Sequence, residues 1–325
     1  MVRGPRELRI GTRGSQLALW QANTVAARLA ESGAPPTRIV IIKTTGDQLQ
    51  DRPLSEAGGK RLFVKEIEDA LLRGEVDLAV HSSKDMPAVL PSGLAIAGVL
   101  PREDPHDAIV LPVDCSVRLQ PDDSGAVDGL IAQLGPAPSI GTGSIRRIAQ
   151  LSRIFRGAHF EPIRGNLDTR LRKLDSGAHS ALVLAAAGLR RLGFASRISL
   201  TLPASVCVPA PGQGIVAIEI REEDTDVREI VTAISDADAA VALDAERALV
   251  EALGGGCQTP IAALASPAAD RTLEVLGAVA TLDGRRVIRA TAHGPRGQAA
   301  ALGALVARDL ISQGADAILA EVRLP

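Results

Sequence analysis

The sequence predicts two α/β domains followed by a small α+β domain. Short buried-strand patterns alternate with amphipathic helices through the first third of the chain, the rhythm of βαβ units. The rhythm resumes after a stretch rich in Pro, Asp and Gly, and from about Asp236 gives way to a helix, a glycine break and paired strands. At 325 residues, 46% hydrophobic and 23% charged, the chain can bury separate apolar cores.

Residues 8–10 form the first expected strand, and the loop 11–14 leads to a helix capped by Ser15, with Leu17, Trp20, Thr24 and Ala27 on one face. A β-branched strand is expected at 38–43. Phe63, Val64, Ile67, Ala70 and Leu71 mark an amphipathic helix stopped by Gly74. A buried strand at 76–80 runs straight into His81-Ser82-Ser83-Lys84-Asp85-Met86-Pro87. Residues 112–138 carry few periodic apolar positions and are expected to form a surface insertion or linker near a domain boundary.

Beyond it, Ser139-Ile140 leads through Gly141-Thr142-Gly143-Ser144 into a helix beginning near Ile145. Asn166 is placed to cap the next helix, and 181–184 reads as another buried strand. Residues 206–220, with Pro209-Ala210-Pro211-Gly212-Gln213-Gly214 in their middle, read as extended crossing segments, because proline withholds a donor that a helix needs. The last region opens with a helix over 236–253 and breaks at Gly254-Gly255-Gly256. Strands paired about Asp283-Gly284 follow, and a helix over 298–313 ends it.

Lys and Arg total 36 against 38 for Asp and Glu, a formal charge of −2, which argues against a general binder of nucleic acid or anionic membranes. Aromatic residues make up 2%, with no Tyr and one Trp, so platforms for stacking single-stranded bases are not expected. The first ten residues are charged, and no run reaches the ~20 apolar residues that span a bilayer. Cys115, Cys207 and Cys257 lie too far apart for a metal-ligand pair or a disulfide framework, which fits a reducing compartment and a cytoplasmic protein. The histidines do not cluster by spacing either, and no metal is expected.

Lys84-Asp85 lies just past the carboxyl end of a strand, where ligands gather in open α/β sheets. Held inward by the tight loop, Asp85 would serve as a general acid and base or as counter-ion to a cation; facing outward, it would be solvated charge. Gly141 to Ser144 precede a helix whose N–H groups and dipole favour an anion, and Arg146 and Arg147 add fixed charge. Arg164 stands before the next helix, with Arg170 further along it, and Arg13 stands just before Ser15. Singly, each would be a surface arginine. Together, guanidinium groups at three strand-to-helix junctions point to a ligand with several anionic groups, held between two domains.

Neither a P-loop nor a dinucleotide fingerprint is present, which argues against a phosphate nucleotide. Cys257 follows three glycines, so its thiol is expected to be accessible as an attachment point or nucleophile, against the ordinary reading of a lone cysteine as a buried small hydrophobe. Lys60, after Gly58-Gly59, is either a lid contact for a carboxylate or phosphate or part of a plain helix start.

Seven segments amount to a family pattern: Gly11-Thr-Arg13-Gly-Ser15 through Gln21, Gly58-Gly-Lys60-Arg-Leu-Phe63, His81 through Pro87, Gly141 through Arg147, Arg164-Gly-Asn-Leu-Asp-Thr-Arg170, Pro209 through Gly214, and Leu253-Gly-Gly-Gly-Cys257-Gln. In this order, over nearly the whole chain, the sequence resembles the porphobilinogen deaminase (hydroxymethylbilane synthase) family. The resemblance implies two periplasmic-binding-protein-like α/β domains with a cleft between them, plus a small α+β C-terminal domain. The boundaries expected are 1–111 with 212–235, then 112–211 with an insertion at about 113–138, then 236–325.

The resemblance further implies a dipyrromethane cofactor in thioether linkage to the cysteine matching Cys257. Four porphobilinogen units are condensed head to tail onto it with loss of ammonia, and hydroxymethylbilane is released by hydrolysis. Asp85 matches the catalytic aspartate. Arg13, Arg146, Arg147, Arg164 and Arg170 match binding positions, as do Ser15, Gln21, Lys84 and Ser144. Each pyrrole carries an acetate and a propionate, so a growing chain accumulates carboxylates suited to these arginines. A monomer is expected, with porphobilinogen as substrate and neither nucleic acid nor membrane as partner.

The chain departs from the pattern at three places. Gly143 stands where serine is common, Asp168 puts an acid between Arg164 and Arg170, and 113–138 is longer than expected. The alternative, from the cleft and arginines alone, is a non-catalytic two-domain binding protein for a dicarboxylate, which gives Cys257 no task.

Overall fold

Ser15 opens the first helix by accepting the Ala18 N–H on Oγ at 3.3 Å, and Asp236 and Ser144 do the same for two later helices through Ala239 and Arg147. The computed structural model describes residues 7–48, 63–115, 125–255 and 259–323. From the N-terminus the elements are β1 (Leu8–Thr12), α1 (Gln16–Glu31), β2 (Thr37–Ile41), α2 (Thr45–Gln48), α3 (Lys65–Leu72), β3 (Leu78–Ser82) and β4 (Leu94–Val99). There follow β5 (Asp107–Val110), α4 (Ala126–Leu134), β6 (Ser139–Gly141), α5 (Ile145–Leu151), β7 (His159–Glu161), α6 (Leu167–Asp175), β8 (Ala181–Ala185), α7 (Ala186–Arg191) and β9 (Leu200–Leu202). Last come β10 (Val216–Arg221), α8 (Thr225–Thr232), α9 (Ala237–Ala252), β11 (Ile261–Pro267), β12 (Thr272–Ala280), β13 (Val287–Pro295), α10 (Ala299–Ser312) and α11 (Ala315–Arg323).

The first sheet runs β2-β1-β3-β10-β4 and the second β7-β6-β8-β5-β9. In each, the first three strands are parallel and the next, β10 or β5, is antiparallel to them. The chain therefore crosses between the domains twice, over 100–106 and 203–215. The two crossings bond to each other, Glu103 N–H donating to the Gly214 carbonyl at 3.0 Å. Leu8, Ile10, Leu78, Val80 and Ile218 centre one core, and Ile109, Leu130, Ile140 and Val183 another. The third region is the antiparallel sheet β11-β12-β13 with α9, α10 and α11 on it. The expected turn at Asp283-Gly284 joins β12 to β13, with Gly284 at φ +70°.

Three expectations are corrected. β5 bonds into the second sheet, so residues 107–111, placed with the first domain, belong structurally to the second. The 112–138 stretch is not all surface linker: α4 lies within it, with Ala126 and Leu130 buried in the second core. Ala126, Leu130 and Leu134 recur every fourth residue, but the Pro, Asp and Gly around them dilute that signal. The helix at 298–313 is followed by a second, α11, after a break at Gly314 with φ +92°.

Candidate active site

Because β1 and β3 are parallel neighbours, the loops after them leave the same sheet edge, which brings Arg13 and the Lys84-Asp85 pair to one side of the first domain. Ser83 to Asp85 form a single 3₁₀ turn, closed by Met86 N–H donating to the Ser83 carbonyl at 3.1 Å. Ser83 N–H donates to Ile215 O at 3.0 Å, and the Met86 side chain is buried against Val99, Ile215 and Ala217. The loop is therefore fastened on both sides of Asp85. Gly212 permits this, since at φ +71° it carries no Cβ, which would fall 2.5 Å from Ser83 Oγ. Gln21 is buried and donates through Nε2 to Ser82 Oγ at 2.8 Å, so it braces the end of β3. Ser15 Oγ caps α1, and the Arg13 guanidinium stacks 4.3 Å from the Phe63 ring centre.

In the second domain, Arg146 and Arg147 enter α5 beside a buried acid. Asp107 Oδ2 lies 2.7 Å from Arg146 Nη1, and Oδ1 lies 2.9 Å from Arg147 Nε and 2.8 Å from Nη2. Val208 O and Val183 O accept further bonds from Arg146 and Arg147 at 2.7 and 2.8 Å. Burial alone would raise the Asp107 pKa, but the two guanidiniums outweigh it and hold the carboxyl far below the usual range. Cys207, which donates to Asp107 Oδ2 at 3.3 Å, is pushed up to about 12 by burial and by that carboxylate. It is a buried, inert thiol.

One carboxylate between two arginines leaves a net positive charge, and more gathers nearby. The Arg170 guanidinium is lowered to about 10, first by burial and then by Arg147 and Arg164, while Asp85 pulls in the opposite direction. Arg170 therefore feels Arg147 and Arg164 of its own domain and Asp85 of the first. Arg146 Nε is buried with no hydrogen-bond partner. A donor without an acceptor, beside crowded guanidiniums, fits a ligand bearing several carboxylates.

Of the expected site residues, Arg13 follows β1 and Lys84 and Asp85 follow β3, Ser144, Arg146 and Arg147 stand at the start of α5, and Arg164 and Arg170 stand before and within α6; Lys84 is joined to the Arg146–Arg147 pair through Gln213 and Asp107. Lys60 and Cys257 lie outside the described residues. Asp168 pairs with Arg172 at 3.6 Å along α6, and at Gly143 the nearest atom to an added Cβ is 4.0 Å away, which leaves room for the serine common there.

Two residues escaped sequence reasoning. Asp107 is a lone acid at a strand start, and its signal was only that a buried carboxylate needs partners. Arg191 lies across the domain boundary, donating to Gly214 O at 2.6 Å with its guanidinium 5.4 Å from the Trp20 ring centre.

Residues 8–229 match the family model "Porphobilinogen deaminase, dipyromethane cofactor binding domain", and residues 240–312 match "Porphobilinogen deaminase, C-terminal domain". The chain belongs to the porphobilinogen deaminase family. A porphobilinogen deaminase of Bordetella parapertussis is 47% identical over 97% of this chain and 96% of its own length. One from Syntrophotalea carbinolica is 47% identical over 96% and 95%. Among solved structures, a TRAP periplasmic solute binding protein from Desulfovibrio salexigens has a TM-score of 0.41 and 12% identity, covering 71% of this chain and 73% of that one. As a porphobilinogen deaminase family member, the chain is a transferase of tetrapyrrole synthesis with a dipyrromethane cofactor-binding domain, which displaces the binding-protein alternative.

Proposed function

We propose that this chain condenses four porphobilinogen molecules with Asp85 as its catalytic residue and Cys257 as the thioether anchor of its dipyrromethane cofactor. The observation that supports this assignment is that the loop bearing Lys84 and Asp85 is joined, through Gln213, to the Asp107 carboxylate that holds Arg146 and Arg147. When bound, the cofactor supplies the pyrrole end onto which substrate is joined. Arg146, through its unpartnered Nε, and Arg147, Arg164 and Arg170 hold acetate and propionate groups as fixed donors. Arg13, Ser15, Ser144 and Lys84 line the approach, Gln21 supports it from behind Ser82, and Lys60 is assigned to a lid. Asp85 exchanges a proton with the aminomethyl nitrogen that leaves as ammonia, and its carboxylate faces the positive charge developing on the pyrrole.

Within this reading the enzyme works as a cytoplasmic monomer without a nucleic-acid or membrane partner. Intact mass spectrometry of the purified protein, beside an ammonia-release assay with porphobilinogen, tests the proposal. An adduct of two pyrrole units is expected, absent from Cys257→Ala. An unmodified chain in active enzyme overturns the anchor, and no ammonia release overturns the activity. Light scattering should return about the chain mass, 33.7 kDa.

A further inference from the structure

Gln213 occupies the place where the two crossings between the domains touch, and it is fully buried. Its amide has a different task on each side. Oε1 accepts from Lys84 Nζ at 3.3 Å, beside Asp85. Nε2 donates to the Pro105 carbonyl at 2.7 Å and to Asp107 Oδ1 at 2.9 Å. Asp107 is the carboxylate that clamps Arg146 and Arg147. The Gln213 backbone carbonyl accepts from Arg102 Nε at 3.0 Å, and Arg102 Nη1 reaches Glu246 Oε1 of α9 at 2.6 Å. One residue therefore touches groups that lead into all three regions.

The chemistry of the partners makes an amide necessary. Lysine can only donate, and an ionised Asp107 can only accept. A carboxylate at 213 would repel Asp107, and an apolar side chain of equal length would leave both partners short of a bond. Because Gln213 sits on one crossing and bonds to the other at Pro105, a change of angle between the domains must strain these contacts.

We propose that Gln213 is a positioning residue: it sets Lys84, and with it Asp85, at a fixed distance from the Arg146–Arg147 pair, so that carboxylates held by one domain present the reacting pyrrole to the acid of the other. This rests on the reading of Lys84, Arg146 and Arg147 as ligand contacts.

The test compares the holoenzyme with Gln213→Met, Gln213→Asn, Lys84→Met and the Gln213→Met/Lys84→Met double variant, reading kcat, KM for porphobilinogen, intact mass and thermal midpoint. Gln213→Met should keep its cofactor and a midpoint within about 5 °C of the parent. Its kcat/KM should fall about 10- to 100-fold, yet it should add less than about threefold once Lys84→Met is present. Gln213→Asn, with an amide one methylene short, should fall between parent and Gln213→Met. Parent-like turnover in Gln213→Met overturns the proposal, as do losses that multiply in the double variant. Loss of the thermal transition in both Gln213 variants also overturns it, placing Gln213 in folding rather than positioning. A parent that releases no ammonia sinks the functional reading and this proposal together; an active parent beside an equally active Gln213→Met sinks the proposal alone.

Discussion

Asp107 grips Arg147 through a single oxygen, Oδ1, which lies 2.9 Å from Nε and 2.8 Å from Nη2, while Oδ2 is left for Arg146. The carboxylate aims both guanidiniums and neutralises only one of them. Orientation is thus separated from charge, and the surplus cation remains for the ligand.

Removing that carboxylate should be expensive. Asp107→Ala strands two buried arginines, and a loss of about 3–5 kcal/mol is expected in urea denaturation. The pH dependence carries the sign. The folded pKa of Asp107 lies below its unfolded value, so the stabilisation is full above about pH 5 and declines as acid protonates the unfolded chain first. Asp107→Asn should therefore flatten the fall in stability below about pH 5 relative to the parent.

Arg170 should behave in the opposite way. Its lowered pKa reflects burial among like charges, so the cation is disfavoured in the protein without ligand. Arg170→Met should leave the thermal midpoint of cofactor-free protein equal or higher, yet weaken porphobilinogen use about 30- to 100-fold, the worth of a ~2–3 kcal/mol bond to an ionised carboxylate. A lower midpoint with unchanged kinetics would make Arg170 structural.

Asp85→Asn keeps the size of a half-buried side chain on a loop fastened by Ser83 and Met86. Unchanged stability is expected, with kcat lower by about 10²- to 10⁴-fold in ammonia release. Near-normal turnover would remove Asp85 from the chemistry.

Glu246 accepts from Arg102, from Gly212 N–H at 2.6 Å and from Ala265 N–H at 2.8 Å, joining the third region to the crossings while fully buried. Glu246→Ala should cost about 3–5 kcal/mol. Calorimetry should then resolve a separate early transition of the third region, and a single unshifted transition would contradict this.

Much of the arrangement was legible because its signals are local. Helix starts at Ser15, Ser144 and Asp236, the strand running into Lys84-Asp85, and the Asp283-Gly284 turn all depend on a few neighbouring residues. Helix α4 was missed because its apolar repeat is short and flanked by breakers. The sequence presents Arg146 and Arg147 as open anion donors, whereas much of their bonding capacity goes to Asp107 and to backbone carbonyls.

The sequence by itself determined the alternation of strands and helices, the helix starts at Ser15 and Asp236 and the kinds of charge standing after the strands, since these follow from periodicity and turn chemistry over short spans, although Asn166 begins α6 without a side-chain cap bond. Tertiary structure alone decided that β5 joins the second sheet, that Asp107 meets Arg147 across 40 residues, and that Gln213 joins Lys84 to Asp107. Such partnerships depend on which buried surfaces fit and on the need of every buried charge for a counter-charge, and neither condition is written in the residues next along the chain.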